Sequence, residues 1–153
     1  HEVVECLQYK AQQEQIHLHV GQIDRNLSVK ADKNQLRQVL INLVENGIKY
    51  NSPNGNVNVF VTPAKSQSRV VVTIEDTGIG IDESDIPRVT ERFFRVEKSR
   101  SRERGGTGLG LSIVKHIIEA HGETLRIKSE PNKGSKFSFS LTKSEQPEAV
   151  EQK

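Results

Sequence analysis

The stretch GGTGLGLSIVKHIIEAHG, residues 105–122, places four glycines in six positions directly before an apolar segment with helical spacing. Glycine is the poorest helix former after proline, so its concentration at the start of a helix needs a reason. A glycine-rich loop that opens a helix exposes backbone N–H groups beside the positive end of the helix dipole, and such an arrangement binds phosphate. The alternative is a surface loop whose glycines only permit turns. The remaining sequence decides between these two interpretations.

Composition limits the classes of protein that this chain can represent. Its 153 residues are enough for one domain with a core, and its formal net charge of +2 is too small to indicate nucleic-acid binding. No apolar run approaches the roughly 20 residues that span a bilayer, and no signal-peptide pattern opens the chain. The single Cys6 excludes an internal disulfide and favours a reducing, intracellular compartment. Because the chain has no methionine, we expect it to be a fragment of a longer protein.

The periodicity of apolar residues predicts one α/β domain. Helical spacing predicts helices at 3–11, 32–50 (with Asp32 as N-cap), 83–93 and 109–121, the last ended by Gly122. Alternation predicts strands at 16–20, 26–31, 57–62, 69–75, 124–129 and 135–142. The polar, patternless residues 144–153 are expected to be a disordered tail, which leaves residues 1–143 as the domain.

The predicted helix at 32–50 carries a polar stripe beside its apolar one. Asn42, Asn46, Lys49 and Tyr50 stand at positions i, i+4, i+7 and i+8, and therefore share a face. An amide oxygen is a suitable ligand for Mg²⁺, a lysine neutralises phosphate, and an aromatic ring packs on a base. A solvated polar face is the alternative interpretation of each residue taken alone.

The motif EDTGIGI, residues 75–81, follows a very apolar predicted strand. Asp76 in this position can accept a hydrogen bond from an exocyclic amine such as that of adenine, and Gly78 and Gly80 allow the backbone to approach a flat ligand. An ordinary strand-ending turn is the alternative. An EF-hand is excluded, because glycines stand where that loop needs oxygen ligands.

The glycine loop does not match the common phosphate-binding motifs. Gly110 is followed by Leu111 and Ser112, whereas a Walker A loop requires Lys and then Ser or Thr. In a Rossmann fingerprint the third glycine would stand where this chain has Leu111 or Ile113. Upstream lies a basic segment, residues 95–104, that could close over a triphosphate as a mobile lid or be no more than a solvated loop.

Taken in order, these motifs resemble the ATP-binding catalytic domain of bacterial sensor histidine kinases, in the superfamily shared with gyrase B, Hsp90 and MutL. NLVENGIKY is similar to the N box of that family, DTGIG to the G1 box, ERFFRV to the F box and GGTGLGLSIVK to the G2 box. The segment from Phe93 to Gly122 is most similar to sensors of Gram-positive bacteria that respond to phosphate or to cell-wall state. The resemblance implies a two-layer α/β (α+β) sandwich, in which a mixed, largely antiparallel sheet of about five strands packs on about three helices, with a mobile ATP lid.

The resemblance also implies roles for individual residues. Asn46 would hold Mg²⁺ with the support of Asn42, Lys49 would contact phosphate, Tyr50 would flank adenine, and Asp76 would bind the adenine amine. Gly78 and Gly80 would form a hinge of the lid, and Arg95 would reach the γ-phosphate. The phosphates would lie on the backbone of Gly106, Thr107, Gly108, Leu109 and Gly110. The implied catalytic residues are Arg95, Lys49 and Asn42.

The implied function is transfer of the γ-phosphate of Mg-ATP to a histidine on the dimerisation domain of a parent sensor, which then acts on a response regulator. A regulatory ATP- or ADP-binding module without phosphotransfer is the alternative. We expect no contact with nucleic acid or membrane by this cytoplasmic fragment of a membrane-anchored sensor. ATP hydrolysis should be slow, because position 42 is Asn and Glu45 is expected to point away from the polar stripe. Two departures from the family pattern are Gly47, usually alanine, and Glu123, often glycine.

Overall fold

A computed structural model of the chain describes residues 1–96 and 105–145. Within these ranges the order of elements is α1 (Glu2–Gln13), β1 (His17–Val20), α2 (Lys33–Lys49), β2 (Asn56–Pro63), β3 (Arg69–Asp76), α3 (Gly110–Ala120), β4 (Arg126–Glu130) and β5 (Gly134–Thr142). Residues 97–104 of the predicted lid (95–104) and residues 146–153 of the predicted tail (144–153) lie outside the described residues. None of the described helices combines the length and the apolar character that crossing a bilayer requires.

The five strands form one mixed sheet in the order β1-β2-β3-β5-β4. β1 is parallel to β2, and the other neighbouring pairs are antiparallel. Alternate residues of the strands are buried, and they form a single core with the apolar faces of the three helices. Because period-2 alternation directs these side chains to one face of the sheet, the helices cover that face only. The predicted two-layer sandwich is confirmed.

The two helices that matter most for the site have well-defined ends. The side chain of Asp32 accepts a hydrogen bond of 2.8 Å from the backbone N–H of Gln35, which confirms the predicted N-cap of α2. α3 ends in a Schellman motif around Gly122, whose φ is +74°, with Glu123 N–H donating to the Ile118 carbonyl at 3.1 Å. The side chain of Glu123 forms an ion pair with Arg69 of β3, which gives this departure from the family pattern a structural role.

The strand predicted at 26–31 is wrong. Residues 26–31 form a loop that contacts the sheet through one isolated bridge between Val29 and Lys143. Asp24 starts a turn by accepting from the N–H of Asn26 through its side chain at 2.9 Å. The alternating Leu27, Val29 and Ala31 pack on the core without strand pairing. Their alternation therefore indicates that the side chains are buried, and it does not indicate a β-strand.

The short helix predicted at 83–93 is also wrong. The segment is a series of turns, in which the backbone carbonyl of Asp82 accepts from the N–H of Asp85 at 2.9 Å and that of Asp85 accepts from the N–H of Arg88 at 2.9 Å. Pro87 has no N–H to donate and its ring opposes a continuous helix at this point. Val89 nevertheless points inward and is 7% exposed, which explains the apolar spacing.

Candidate functional site

A groove of about 400 Å³ opens between α2, the end of β3 and the glycine loop. Eleven of the thirteen predicted site residues line it, namely Asn42, Asn46, Lys49, Tyr50, Asp76, Gly80, Arg95, Gly106, Thr107, Gly108 and Gly110. Gly78 and Leu109 do not. Residues that are far apart in sequence therefore meet in one cavity, as a ligand-binding site requires.

Asp76 is the acidic group at one end of this groove. Its Oδ1 accepts hydrogen bonds from the backbone N–H of Gly78 at 2.8 Å and from that of Ser135 at 3.3 Å. Among the described residues both of these bonds end on Oδ1, so Oδ2 can accept from a donor in the groove. Burial raises the pKa of the Asp76 carboxyl to about 6, against the two backbone hydrogen bonds, which lower it. A buried carboxylate with one oxygen aimed at a groove is suited to bind an amine.

The segment after Asp76 is fixed by backbone contacts on both sides. Ile79 N–H donates to the Tyr50 carbonyl at 3.0 Å, and its own carbonyl accepts from Asn132 N–H at 2.8 Å. Gly78 packs against the same Tyr50 carbonyl, and no side chain would fit there. Gly78 thus lies behind Asp76 and away from the groove surface, and its role as a hinge stays a prediction.

A polar network around the buried Asn51, which sequence reasoning missed, joins α2 to this segment. Asn51, only 3% exposed, donates from Nδ2 to the Asn56 carbonyl at 2.9 Å. Thr77 Oγ1 accepts from Asn56 N–H at 2.9 Å and lies 3.3 Å from Asn51 Oδ1. The Thr in DTG and the Asn after KY were visible in sequence, but only the fold brings them together. The network holds the end of α2 against the ends of β2 and β3.

Apolar side chains form the walls beside Asp76. Ile79, Ile81, Val89, Leu111 and Phe137 line this part of the groove. A flat aromatic base inserted here would bury its faces against aliphatic carbon while its amine reached Asp76. None of these five residues was singled out from the sequence, because isolated apolar residues there resemble ordinary core positions.

The polar stripe of α2 forms a second wall, as its spacing predicted. Asn42, Asn46 and Lys49 all line the groove. The expectation that Glu45 points away is wrong: Glu45 also lines the groove, where it pairs with Lys10 of α1 at 3.0 Å. Positions i+3 and i+4 from Asn42 both neighbour it on the helix surface, so Glu45 and Asn46 flank Asn42 and both reach the groove.

The glycine loop closes the groove opposite α2. The Lys49 ammonium donates to the Gly105 carbonyl and lies 5.1 Å from the centre of the Tyr50 ring. Gly106 and Gly108 have φ of +128° and +70°, in the region that other residues rarely adopt. A Cβ on Gly110 would lie 3.4 Å from Asn42 Oδ1, so α3 begins in close contact with α2. The loop backbone is therefore exposed beside a lysine and an amide.

The segment around Phe93 packs on the glycine loop. Phe93 has φ of +64° and its N–H donates to the Gly108 carbonyl at 2.9 Å. The Phe94 ring lies under the Arg88 guanidinium at 4.4 Å, and Arg95 lines the groove. The F-box motif and the glycine loop are thus joined by a backbone hydrogen bond.

The donors in this groove suit a magnesium ion that arrives with a phosphate ligand. No group of three or more His, Cys, Asp or Glu in residues 1–96 and 105–145 could hold a metal ion by itself. Among the α2 side chains that line the groove, Asn42 and Asn46 offer amide oxygens, whereas the Glu45 carboxylate is paired with Lys10. Mg²⁺ prefers hard oxygen donors and keeps waters, so it fits here when phosphate oxygens complete its shell.

These features define a class: an α/β sandwich whose groove combines a buried carboxylate, a helix that presents two amide side chains, and a glycine loop. Residues 31–145 match the family described as histidine kinase-, DNA gyrase B-, and HSP90-like ATPase, and the chain belongs to this family.

Two curated relatives are sensor kinases. The sensor histidine kinase WalK of Bacillus subtilis (strain 168) is 38% identical over 125 residues, which are 82% of this chain and 20% of that protein. The sensor-like histidine kinase SenX3 of Mycolicibacterium smegmatis is 45% identical over 121 residues, which are 79% of this chain and 31% of that protein. The chain thus spans about a fifth to a third of these relatives.

Solved histidine kinase structures have the same fold. Full-length ShkA in complex with AMPPNP matches with a TM-score of 0.81 and 26% identity, over 95% of this chain and 30% of that one. The catalytic domain of histidine kinase ThkA matches with a TM-score of 0.78 and 30% identity, over 94% of this chain and 91% of that one. ThkA in complex with the response regulator TrrA matches with a TM-score of 0.74 and 28% identity, over 94% of this chain and 39% of that one.

Proposed function

We propose that this chain binds Mg-ATP and transfers the γ-phosphoryl group to a histidine on a separate dimerisation domain of the same parent protein. The observation that carries the proposal is the single groove in which Asp76, the polar face of α2 and the glycine loop meet. The family match and the AMPPNP complex of ShkA support ATP as the ligand.

Each wall of the groove has one task in this proposal. Asp76 Oδ2 accepts from the exocyclic amine of adenine, and the aliphatic walls hold the ring. The amides of Asn42 and Asn46 would hold Mg²⁺, which supplies charge neutralisation to the phosphates. Lys49 exchanges the Gly105 carbonyl for a phosphate oxygen, which is the stronger, charge-assisted acceptor.

The transfer step depends mainly on positioning the two reactants and on neutralising the charge of the phosphates, and less on general acid–base catalysis. A nitrogen of the accepting histidine forms a bond to the γ-phosphorus while the bond from that phosphorus to the β,γ-bridging oxygen breaks, and ADP leaves. Arg95 and the backbone N–H groups of residues 106–110 stabilise the charge on the transferred group. The accepting histidine is the nucleophile, so this chain need not supply a base.

The experiment that tests the proposal is phosphotransfer in trans. Radiolabelled ATP is mixed with this chain and with the isolated dimerisation domain of its parent, and label on the histidine is followed. We expect label to accumulate with the wild-type chain and to be strongly reduced with Asn46→Asp. Binding of ATP without any transfer would contradict the kinase proposal and favour the regulatory module.

The partners of the parent protein belong to the same proposal. The complex of ThkA with TrrA supports a response regulator as the next acceptor of the phosphoryl group. ATP as substrate and a single exposed Cys6 fit a cytoplasmic position for this part of a membrane-anchored sensor. The stimulus, phosphate or cell-wall state, stays a prediction.

A further inference from the structure

His121, at the end of α3 and outside the groove, joins the two helices that carry the groove. Its Nε2 accepts a hydrogen bond of 3.1 Å from the backbone N–H of Asp32, the N-cap of α2. Its Nδ1 lies 2.8 Å from the carbonyl of Ile117, one turn back in α3. Both ring nitrogens are therefore used by the backbone.

The backbone partners fix the proton on this ring. The Asp32 N–H is a donor, so Nε2 must be the acceptor. The Ile117 carbonyl is an acceptor, so Nδ1 must carry the hydrogen. Only the neutral imidazole with its proton on Nδ1 makes both hydrogen bonds, because a protonated ring would present a second N–H to the Asp32 N–H. This junction thus selects one tautomer of one charge state.

The junction and the groove are opposite ends of one helix pair. α2 and α3 touch near the groove, where Gly110 lies against Asn42, and again at the far end, where His121 meets Asp32. The two contacts are separated by about 15 Å along each helix. Both contacts determine the distance between α2 and α3. A change at the far contact therefore alters the position of the glycine loop, which begins α3, relative to the amides of α2.

We propose that His121 is a positioning residue for nucleotide binding, and that its protonation loosens the α2–α3 pair and weakens binding of Mg-ATP. This inference rests on the proposed function. The charged groups beside the ring are Asp32, whose carboxylate accepts from Gln35 N–H, and Glu123, which is paired with Arg69 of β3. A proton on Nε2 would place a second N–H against the Asp32 N–H, so the hydrogen bond at the far contact would be lost.

The test compares two substitutions at His121 with one on the exposed side of α3. In His121→Gln the side-chain oxygen reaches about as far as Nε2 and can accept from Asp32 N–H, but the group does not titrate. His121→Leu keeps the bulk and loses both bonds. His116→Gln removes an exposed histidine from the same helix and is the control.

Calorimetry of Mg-AMPPNP binding to the 153-residue chain is run at about pH 8 and about pH 5.5. At the higher pH we expect His121→Gln and His116→Gln to bind as the wild type does, and His121→Leu to bind several-fold more weakly. On acidification we expect the wild type and His116→Gln to lose about fivefold more affinity than His121→Gln. Titration of Asp76 and of the nucleotide affects all variants equally, so it cancels when the affinity losses of the variants are compared.

The ¹⁵N chemical shifts of the His121 ring in the empty chain provide a readout that does not depend on nucleotide. We expect the Nδ1–H tautomer at the higher pH and loss of the Asp32 amide hydrogen bond on acidification. Equal pH profiles for the wild type and His121→Gln, or an Nε2–H tautomer, would overturn the inference. If no variant binds nucleotide while the ring behaves as described, the proposed function fails, and the positioning role fails with it.

Discussion

At the end of the groove where we propose that the base binds (the base end), Asp76 is fixed by the amides of Gly78 and Ser135, and Ile79 is bonded on both sides. The end where we propose that the phosphates bind (the phosphate end) is a glycine loop. That loop has positive φ angles, exposed backbone at Gly105 and Gly106, and a lysine bonded to one of its carbonyls. The base end is thus arranged before any ligand arrives. The phosphate end has backbone donors and a cation whose better partner is a phosphate.

This difference indicates that the base end would determine specificity and the phosphate end would supply most of the binding energy. A preformed, buried carboxylate discriminates between ligands because a mismatch leaves it unpaired. The glycine loop would contribute through N–H groups that bind oxygens, so its contribution depends on the phosphates and on Mg²⁺. Substitutions at the two ends should therefore have different signatures.

The largest effect is expected at the phosphate end, from Asn46→Asp. The change keeps an oxygen but adds negative charge beside the phosphates and removes an amide donor. We expect Mg-ATP affinity to fall at least about tenfold, or about 1.4 kcal/mol, in calorimetry. Asn54→Asp, in an exposed turn away from the groove, is the control and should bind normally. Unchanged binding by Asn46→Asp would remove the metal-ligand role.

At the base end, Asp76→Asn should remove the preference for ATP over GTP. Adenine offers an amine to Oδ2, whereas guanine offers a carbonyl at the equivalent position and leaves the carboxylate unpaired, at a cost of about 1–3 kcal/mol. Because the pKa of Asp76 is about 6, the preference should strengthen as pH rises through that value. Competition binding of the two nucleotides checks this, with Glu119→Gln on the exposed side of α3 as control. Equal affinities in the wild type would contradict the assignment.

The same substitution should stabilise the empty chain. Burial raises the pKa of Asp76 from 3.8 to about 6, so the folded state binds the proton more tightly than the unfolded state. The resulting stabilisation is complete below the unfolded value and is lost as pH rises through about 6. At neutral pH Asp76→Asn should therefore raise the free energy of unfolding by up to about 3 kcal/mol, and near pH 4 by less than about 1 kcal/mol.

Urea unfolding at the two pH values measures this stability difference. A variant that is less stable than the wild type at neutral pH would show that the carboxylate serves the fold and not a ligand.

The smallest effect is expected from Gly47→Ala, in the middle of α2. Alanine favours the helix by about 1 kcal/mol, but its Cβ would lie 3.1 Å from a methyl of Val57 and 3.5 Å from Cβ of Asp76. The two effects oppose each other, so we expect the free energy of unfolding to change by less than about 1 kcal/mol. A loss well above that would mean that the contact between α2 and β2 is too rigid to adjust.

Prediction from the sequence was correct where a local pattern of residues corresponds to a single helix or strand. The stripe of Asn42, Asn46 and Lys49 followed from helical spacing, and the strands at 56–63 and 69–76 followed from alternation. It failed at 26–31, where an alternating loop packs on the core without pairing. The local pattern indicates which side chains are buried, but it does not show whether their backbone forms a strand or a loop.

Long-range partners were outside the reach of the sequence. Lys10 and Glu45 meet at the groove across 35 positions, and Asp32 and His121 across 89. Ser135 contributes to the site through its backbone N–H, which no side-chain motif reveals. The resemblance to a known family supplied the order of the motifs, whereas the physical reason for each contact became visible only in the fold.

The most direct test of the account is chemical-shift mapping of this chain with AMPPNP in the presence of Mg²⁺. We expect the amides of residues 76–80 and of residues 105–110 to shift together, the latter set depending on Mg²⁺ and the former not. Such a result would place the base at Asp76 and the phosphates on the glycine loop. Shifts confined to other regions, such as the apolar cavity between α1 and β2, or no shifts at all, would contradict the account.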